Sequence, residues 1–306
     1  MTVNVASGGG GGTTPSAKWD DVTFIDYDGS VLYSYSLAET QALTELPVLP
    51  SHDGLVCQGW NWTLEAIKSL NRPVTVGAMY ITDDGATRLH IKIATVGRMT
   101  VPLYIGQTVA NGVSIDWGDG STAETLVGTG NVNTSHTYAE PGDYVISLMP
   151  QDGCKLSLGY GSSSYCVMGP TANNSLVYCN MLQEVSIGKN VTSIGDYVFN
   201  RCYSLASITI PAGVTSIGNN AFTTCYSLAS ITILDGVTSI GNYVFNNCNG
   251  MRYYDFSACT SIPTLSDNNA FNNIPSDCQM LIPSALYNRW KSATNWATYA
   301  SYMVSV

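Results

Sequence analysis

From about residue 171 to residue 283, one arrangement of apolar and polar positions recurs every 23 residues. The clearest copies are 191–213, 214–236 and 237–259. Laid over one another, they hold Ile194, Ile217 and Ile240 in one column, Phe199, Phe222 and Phe245 in a second, and Cys202, Cys225 and Cys248 in a third. Leu205, Leu228 and Met251 follow, then Ile208, Ile231 and Tyr254, then Ile210, Ile233 and Phe256. A worn earlier copy carries Cys179, Leu182, Val185 and Ile187; a later one shows Phe271 and Cys278 at altered spacing. A fixed period of this length predicts a solenoid, whose coils cannot bury their apolar sides alone and share them with their neighbours. Within each copy, L-x-x-I-x-I predicts a strand with Ser207 and Thr209 on the opposite face from Ile208 and Ile210. The preceding I-G-x-x-x-F segment, as at 217–222, is expected to be a turn and a short helical piece that feeds Phe222 inward. Gly213 and Gly236 end two copies where the chain must turn.

The string V-T-S-I-G-N-N-A-F-T-T-C-Y-S-L-A-S-I-T-I at 214–233, with its neighbours, resembles the BspA-like (Treponema-type) leucine-rich repeats of bacterial surface proteins. The general leucine-rich pattern has Asn or Cys after the strand. Gly213 and Val214 stand there here, so the asparagine-ladder turn of that type is not assumed. The resemblance implies adhesion and protein interaction rather than catalysis.

Upstream, alternation with period two dominates. Residues 1–18 hold five consecutive glycines, Gly8 to Gly12, and are expected to be a tether or attachment arm. Residues 19–97 are expected to form a small α+β domain. Its strands are near 22–27, 31–35 and 54–62, its helix is at 64–70, and a hairpin joins 74–81 to 87–93 around Asp83-Asp84-Gly85. V-T-F-I-D-Y-D-G-S-V-L at 22–32, with P-x-x-P-S-H-D-G-L at 47–55 and Gly59-Trp60, is similar to the Listeria–Bacteroides repeat, which implies a β-grasp-like unit. Trp60 and Trp62 offer rings for stacking a sugar, against a plain packing role. Residues 98–152 carry I-D-W-G-D-G-S at 115–121 and H-T-Y-A-E-P-G-D-Y-V-I-S-L at 136–148. These resemble the two signature segments of a PKD domain, which implies an immunoglobulin-like β-sandwich with Trp117 in its core. Residues 153–282 complete the leucine-rich solenoid with its N-terminal cap. Residues 283–306 are its C-terminal cap, where Pro283 or Ser284 opens a helix carrying Leu286, Trp290 and Lys291, and Trp296, Tyr299 and Tyr302 cover the last coil. The fold class is thus mainly β and multidomain: a β-grasp-like α+β domain, a PKD-like sandwich, then a leucine-rich solenoid with a helical cap.

Only 11% of the 306 residues are charged, and the net charge is -10. That balance argues against nucleic acid or an anionic membrane as partner. Twenty-nine Gly and nineteen Tyr, with many Ser, Thr and Asn, suggest β-rich extracellular material. No apolar run is long enough to span a membrane. Residues 1–6 have neither the basic nor the apolar region of a secretory signal, so either a leader is missing from this sequence or the protein leaves the cell by another route, such as a phage particle. Nine cysteines is an odd number, so at least one is unpaired in a monomer. Those of the repeat are expected to pack as small buried thiols, although coils about 4.8 Å apart leave disulfides open on distance.

No catalytic constellation is found, and no cofactor or metal is expected. Between 191 and 250 the only charged residues are Asp196, Arg201 and Asp235, so the repeat columns supply no paired carboxylates. Asp116, Asp119 and Asp143 offer oxygens for Ca²⁺, yet without EF-hand-like spacing, and turn formation is the simpler role. His136, in the second sandwich segment, is expected to be structural. What remains is a surface. Glu184, Ser186, Ser207, Thr209, Ser230, Thr232, Tyr253 and Asp255 are the outward strand positions of the repeats. Tyr203 and Tyr226 recur at the same period as an aromatic edge. These ten residues are the expected ligand-binding face, for a host-surface protein or glycan bound with avidity. The expected role is a phage tail- or capsid-associated adhesin anchored to virion proteins through the N-terminal region. The alternative is a BspA-like adhesin of a bacterial envelope. Homo-oligomerisation is left open.

Overall fold

The computed structural model describes residues 21–26, 30–52, 55–60, 64–68, 74–82, 84–94, 96–159, 165–170 and 179–306. The expected tether, the turn at Asp28-Gly29, and Trp62 lie outside them.

The N-terminal unit comprises β1 (Asp21–Ile25), β2 (Val31–Ser36), α1 (Leu37–Ala42), β3 (Leu55–Trp60), α2 (Leu64–Lys68) and β4 (Val74–Thr82). Its sheet order is β2-β1-β4-β3, with β1 and β4 parallel. Helix α1 opens on a capping box: Glu39 N–H donates to Ser36 Oγ at 3.2 Å, and Ser36 N–H donates to the Glu39 carboxylate at 2.9 Å.

Next come β5 (Thr87–Ile93), β6 (Thr100–Gln107), β7 (Val113–Asp116), β8 (Glu124–Thr125), β9 (Gly130–Thr137), β10 (Gly142–Pro150), β11 (Leu156–Leu158), and the pair β12 (Tyr165–Cys166) and β13 (Gly169–Pro170). The repeats supply β14 (Leu182–Ser186), β15 (Val191–Ile194), β16 (Ser207–Ile210), β17 (Ser216–Ile217), β18 (Ser230–Ile233), β19 (Ser239–Ile240), β20 (Tyr253–Asp255), β21 (Thr264–Leu265) and β22 (Gln279–Ile282). The cap adds α3 (Tyr287–Lys291), a 3-10 helix (Trp296–Tyr302) and β23 (Met303–Ser305).

Two sheets run the length of the sandwich and the repeats. One has the order β23-β22-β20-β18-β16-β14-β5-β10-β7-β8, the other β21-β19-β17-β15-β11-β6-β9. The sandwich therefore caps the solenoid by continuing both of its sheets. This corrects two expectations. β4 and β5 do not form a hairpin: β5 lies between β10 and β14, antiparallel to both. By strand pairing, the boundary expected after residue 97 falls between Thr82 and Thr87. The physical reason is the pattern of β5, in which Leu89, Ile91 and Ile93 are buried in the core that also holds Ile146 and Leu182.

The period of 23 becomes strand register. Ser207, Ile208, Thr209 and Ile210 pair with Ser230, Ile231, Thr232 and Ile233, and Ser193 and Ile194 pair with Ser216 and Ile217. Phe199, Phe222, Phe245 and Phe271 stack in sequence at 5.1, 5.4 and 5.2 Å between ring centroids. The I-G-x-x-x-F segment is not helical. Its N–H groups reach across to the next coil: Tyr197, Phe199 and Arg201 donate to the carbonyls of Asn219, Ala221 and Thr223 at 2.8–2.9 Å. Tyr197, Arg201, Asn220, Thr224, Tyr243 and Asn247 are left-handed there, which breaks helical continuity every few residues. Gly236, at φ +124°, ends its coil where an added Cβ would lie 2.2 Å from Ala212 O.

The repeat thiols form a ladder. Cys225 Sγ donates to Phe199 O at 3.0 Å and Cys248 Sγ to Phe222 O at 3.1 Å. Burial pushes the Cys225 thiol well up and that of Cys248 to about 12, so both stay protonated. Cys179 departs from this pattern, because it is bridged to Cys166 by a disulfide.

At the far end Trp290 and Trp296 are fully buried against Phe256, and Tyr299 closes the last coil. Tyr299 Oη accepts the Phe271 N–H at 3.2 Å and donates to Asn268 O at 2.6 Å. The cap helix begins at Tyr287, with Leu286 before its first turn.

Candidate functional site

The outward positions of the ten-stranded sheet fall into two rows. One runs from His90 through Glu184, Ser207 and Ser230 to Tyr253 and Gln279. The other runs from Arg88 through Ser186, Thr209 and Thr232 to Asp255, Leu281 and Val304. Sequence alternation placed the expected residues on the right face, and register brings them side by side. That face, however, is largely closed. Glu184 is 8% exposed, Ser230 and Thr232 5%, Asp255 3% and Tyr253 1%, while Ser186 and Thr209 are half-buried. Ser207 keeps its place opposite Ser230. A residue on the solvent side of a solenoid sheet becomes buried when something lies over it, and here that is the N-terminal unit. Val22, Phe24, Trp60, Ile67, Val74 and Val76 form one apolar cluster with Tyr253 and Leu281, with Val304 and Val306 packed on it. Toward the sandwich, Ala78 and Tyr80 face Glu184, Ser186 and Thr209 across a gap of about 20 Å³, room for about one water. The expectation is thus corrected for Glu184, Ser230, Thr232, Tyr253 and Asp255, which are buried beneath the N-terminal unit rather than open to a ligand.

Closure has an electrostatic consequence. Burial pushes the Asp255 carboxyl up to about 6, against a hydrogen bond from Ser257 N–H at 2.8 Å that pulls it down. His90 Nδ1 lies 3.9 Å from Glu184 Oε2.

Trp60 has a structural role: it is buried, its ring meets Phe24 at 4.9 Å, and its Nε1–H donates to Pro47 O at 2.7 Å.

Tyr203 and Tyr226 do stack, 5.1 Å apart and 6° from parallel, on the rim of the coils. Tyr226 is 48% exposed and Tyr243, on the adjoining turn, 39%. The second sheet stays open. Thr192, Thr215, Thr238 and Thr264 follow one another along it, each Oγ1 donating to a carbonyl of the preceding strand at 3.0–3.3 Å. Thr215, Thr238 and Thr264 are exposed. The V-T-S-I recurrence carried this row in the sequence, but strand signals drew attention to L-x-x-I-x-I alone.

In the sandwich, Trp117 is buried and stacks on His136 at 5.1 Å. Tyr138 Oη donates to Trp117 O at 2.9 Å. Asp116 and Asp119 accept the N–H groups of Gly118 and Ser121, and His136 Nε2 is 2.7 Å from Asp119 Oδ2. The Ser121 hydrogen bonds and the His136 contact hold the Asp119 carboxyl down at about 2. Asp143 turns instead toward Lys92, at 3.4 Å. The three carboxylates do not converge as a Ca²⁺ site needs, and among the described residues no group of three or more His, Cys, Asp or Glu is placed to hold a metal. Among the described residues no helix is long and apolar enough to cross a membrane.

Comparison with known proteins bears on the repeats. A search of curated proteins finds no match. Among solved structures, the chain is similar to a leucine-rich repeat protein from Bacteroides ovatus, at 26% identity over 33% of this chain and 27% of that one, with a TM-score of 0.24. Residues 171–288 match the BspA type leucine-rich repeat region in six copies, and the stacked coils from β14 to β22 are similar to that repeat.

Proposed function

We propose that the protein is a non-enzymatic adhesive or structural protein acting outside the cell, whose repeats present an extended surface to a protein or glycan of a cell surface. The observation that carries this reading is the BspA-type repeat in six copies, stacked in register with regular polar rows on its flanks. The working surface is the exposed flank: the threonine row at Thr215, Thr238 and Thr264 together with the rim at Tyr226 and Tyr243. Its chemistry is hydroxyl groups and aromatic edges with few charges, which suits neutral hydrogen-bonding partners bound through repeated weak contacts. The stacked faces of Tyr203 and Tyr226 are largely used by each other, so the rim offers edges and phenol hydroxyls rather than a platform for a sugar ring.

The test is binding of the full chain to gut bacterial cells and to a panel of surface glycans. Tyr226→Ala combined with Thr215→Val and Thr238→Val is expected to lower binding at least tenfold while the melting curve stays cooperative. Binding unaffected by these changes would overturn the assignment of the flank. Turnover of a glycan, abolished by one carboxylate substitution, would overturn the non-enzymatic reading. Mass spectrometry of purified phage particles and of bacterial envelope fractions separates the two settings the repeat family allows.

A further inference from the structure

The strand face of the repeats is filled from within the chain. Six apolar residues of the N-terminal unit make one cluster with Tyr253 and Leu281, separate from the core shared by the coils. The same cover lies over Glu184, Ser230, Thr232 and Asp255. Its seat is apolar at the cap end and polar toward the sandwich. Among the described residues no strand pairing joins β1–β4 to the ten-stranded sheet and no disulfide links the two. Between β4 and β5 only residues 83–86 connect them. The N-terminal unit's own core thus meets the repeat sheet through two buried side chains, Tyr253 and Leu281, beside buried polar rows, a small contact of the kind that domains can exchange.

We infer that the N-terminal unit, residues 21–82, is a resident ligand of the repeat sheet, and that two copies of this chain exchange it, the unit of one seating on the repeats of the other. The occupant is a second copy because the complementary surfaces are already on the chain, and a trans contact uses the same side chains as the cis one. So short a connection sets an effective cis concentration on the order of millimolar, so the closed monomer dominates in dilute solution. This inference does not depend on the adhesive reading.

Crossed variants of the full chain test it. Phe24→Asp spoils the N-terminal unit and leaves the repeat face intact. Leu281→Asp spoils the face and leaves the unit intact. Each is needed only for the half it keeps, so misfolding of the altered half does not confound the result. Native mass spectrometry is expected to show monomers for each variant alone and a one-to-one heterodimer on mixing at about 100 µM, below the cis concentration that suppresses exchange in the parent chain. Val306→Asp in place of Leu281→Asp is expected to give the same heterodimer from a milder change. A mixture that stays monomeric with both pairs overturns the inference. So does a homodimer of either variant alone as abundant as the heterodimer.

Discussion

At the residue scale, two buried groups report on what surrounds them. The thiols of Cys202, Cys225 and Cys248 are fully enclosed, and burial raises them all. Since only the thiolate reacts readily, alkylation of the native protein is expected to label Cys57, the exposed cysteine, and to leave the ladder untouched until the chain unfolds. Cys166 and Cys179 should label only after reduction, which peptide mapping would read. Cys225→Ala removes the thiol that donates to Phe199 O and leaves a small cavity. A loss of about 1–3 kcal/mol in unfolding free energy is expected. Asp255 gives a pH dependence of opposite sense to most carboxylates. Its folded value of about 6 lies above the ordinary 3.8, so the stability it contributes is fully present below about 4 and is lost as pH rises through 6. Asp255→Asn should flatten that slope and, near pH 7, stabilise the protein by about 2–3 kcal/mol, as denaturant melts across pH would show. Asp119 acts in the other sense. Held at about 2, it contributes stability above pH 4 that fades as pH falls toward 2, so Asp119→Asn should differ from the parent chain at pH 5 and converge with it near pH 2.

At the scale of elements, the coil was legible because its residues recur, and recurrence fixes register without reference to anything distant. The columns at Phe199 and Ile208 read directly as stacked rings and paired strands. The I-G-x-x-x-F segment keeps the expected turn but not the short helical piece, because alternate N–H groups are satisfied by the next coil and left-handed Tyr197, Arg201, Thr224 and Tyr243 carry no such signal in their type. β5 has the expected bounds but not the expected partner: Asp83-Asp84-Gly85 between two alternating runs is a local hairpin signal, and only the buried neighbours of Leu89 and Ile91 override it. Helix α1 is not among the expected elements, although Ser36 and Glu39 form an S-x-x-E capping box that the sequence carries. The cap also yields a prediction. Tyr299 supplies through one hydroxyl what the next coil would otherwise supply, an acceptor for Phe271 N–H. Tyr299→Phe leaves that buried N–H without its partner, at a cost of about 1–3 kcal/mol. Hydrogen exchange should then speed up first at Phe271 and the last coil, while β14 and β16 keep their protection.

At the scale of the whole molecule, the candidate face shows what alternation can and cannot convey. It states which side of a strand a residue occupies, and Ser230, Thr232 and Asp255 are indeed outward; it does not state what lies over that side. The cover is a long-range match between β1–β4 and the row that ends at Leu281 and Val304, and that match has a length. The N-terminal sheet reaches from Glu184 on β14 to Leu281 on β22, across the intervening coils. Excising residues 214–236 joins Gly213 to Val237 and returns the repeat to phase, so that Phe199 meets Phe245 and Ile208 pairs with Tyr254. Because each coil touches only its neighbours, the shortened solenoid should still fold, with a cooperative melt and the same strand content. Its sheet is shorter by one strand spacing, about 4.8 Å. The N-terminal unit can then keep its contacts at Glu184 and Thr209 or those at Tyr253 and Leu281, but not both. Limited proteolysis is expected to release the unit by cleavage between Thr82 and Thr87 in the excised variant, and to leave the parent chain intact under the same conditions. Equal resistance in the two proteins would mean that the unit does not measure the solenoid at all, and that the burial of Ser230, Thr232 and Asp255 has another cause.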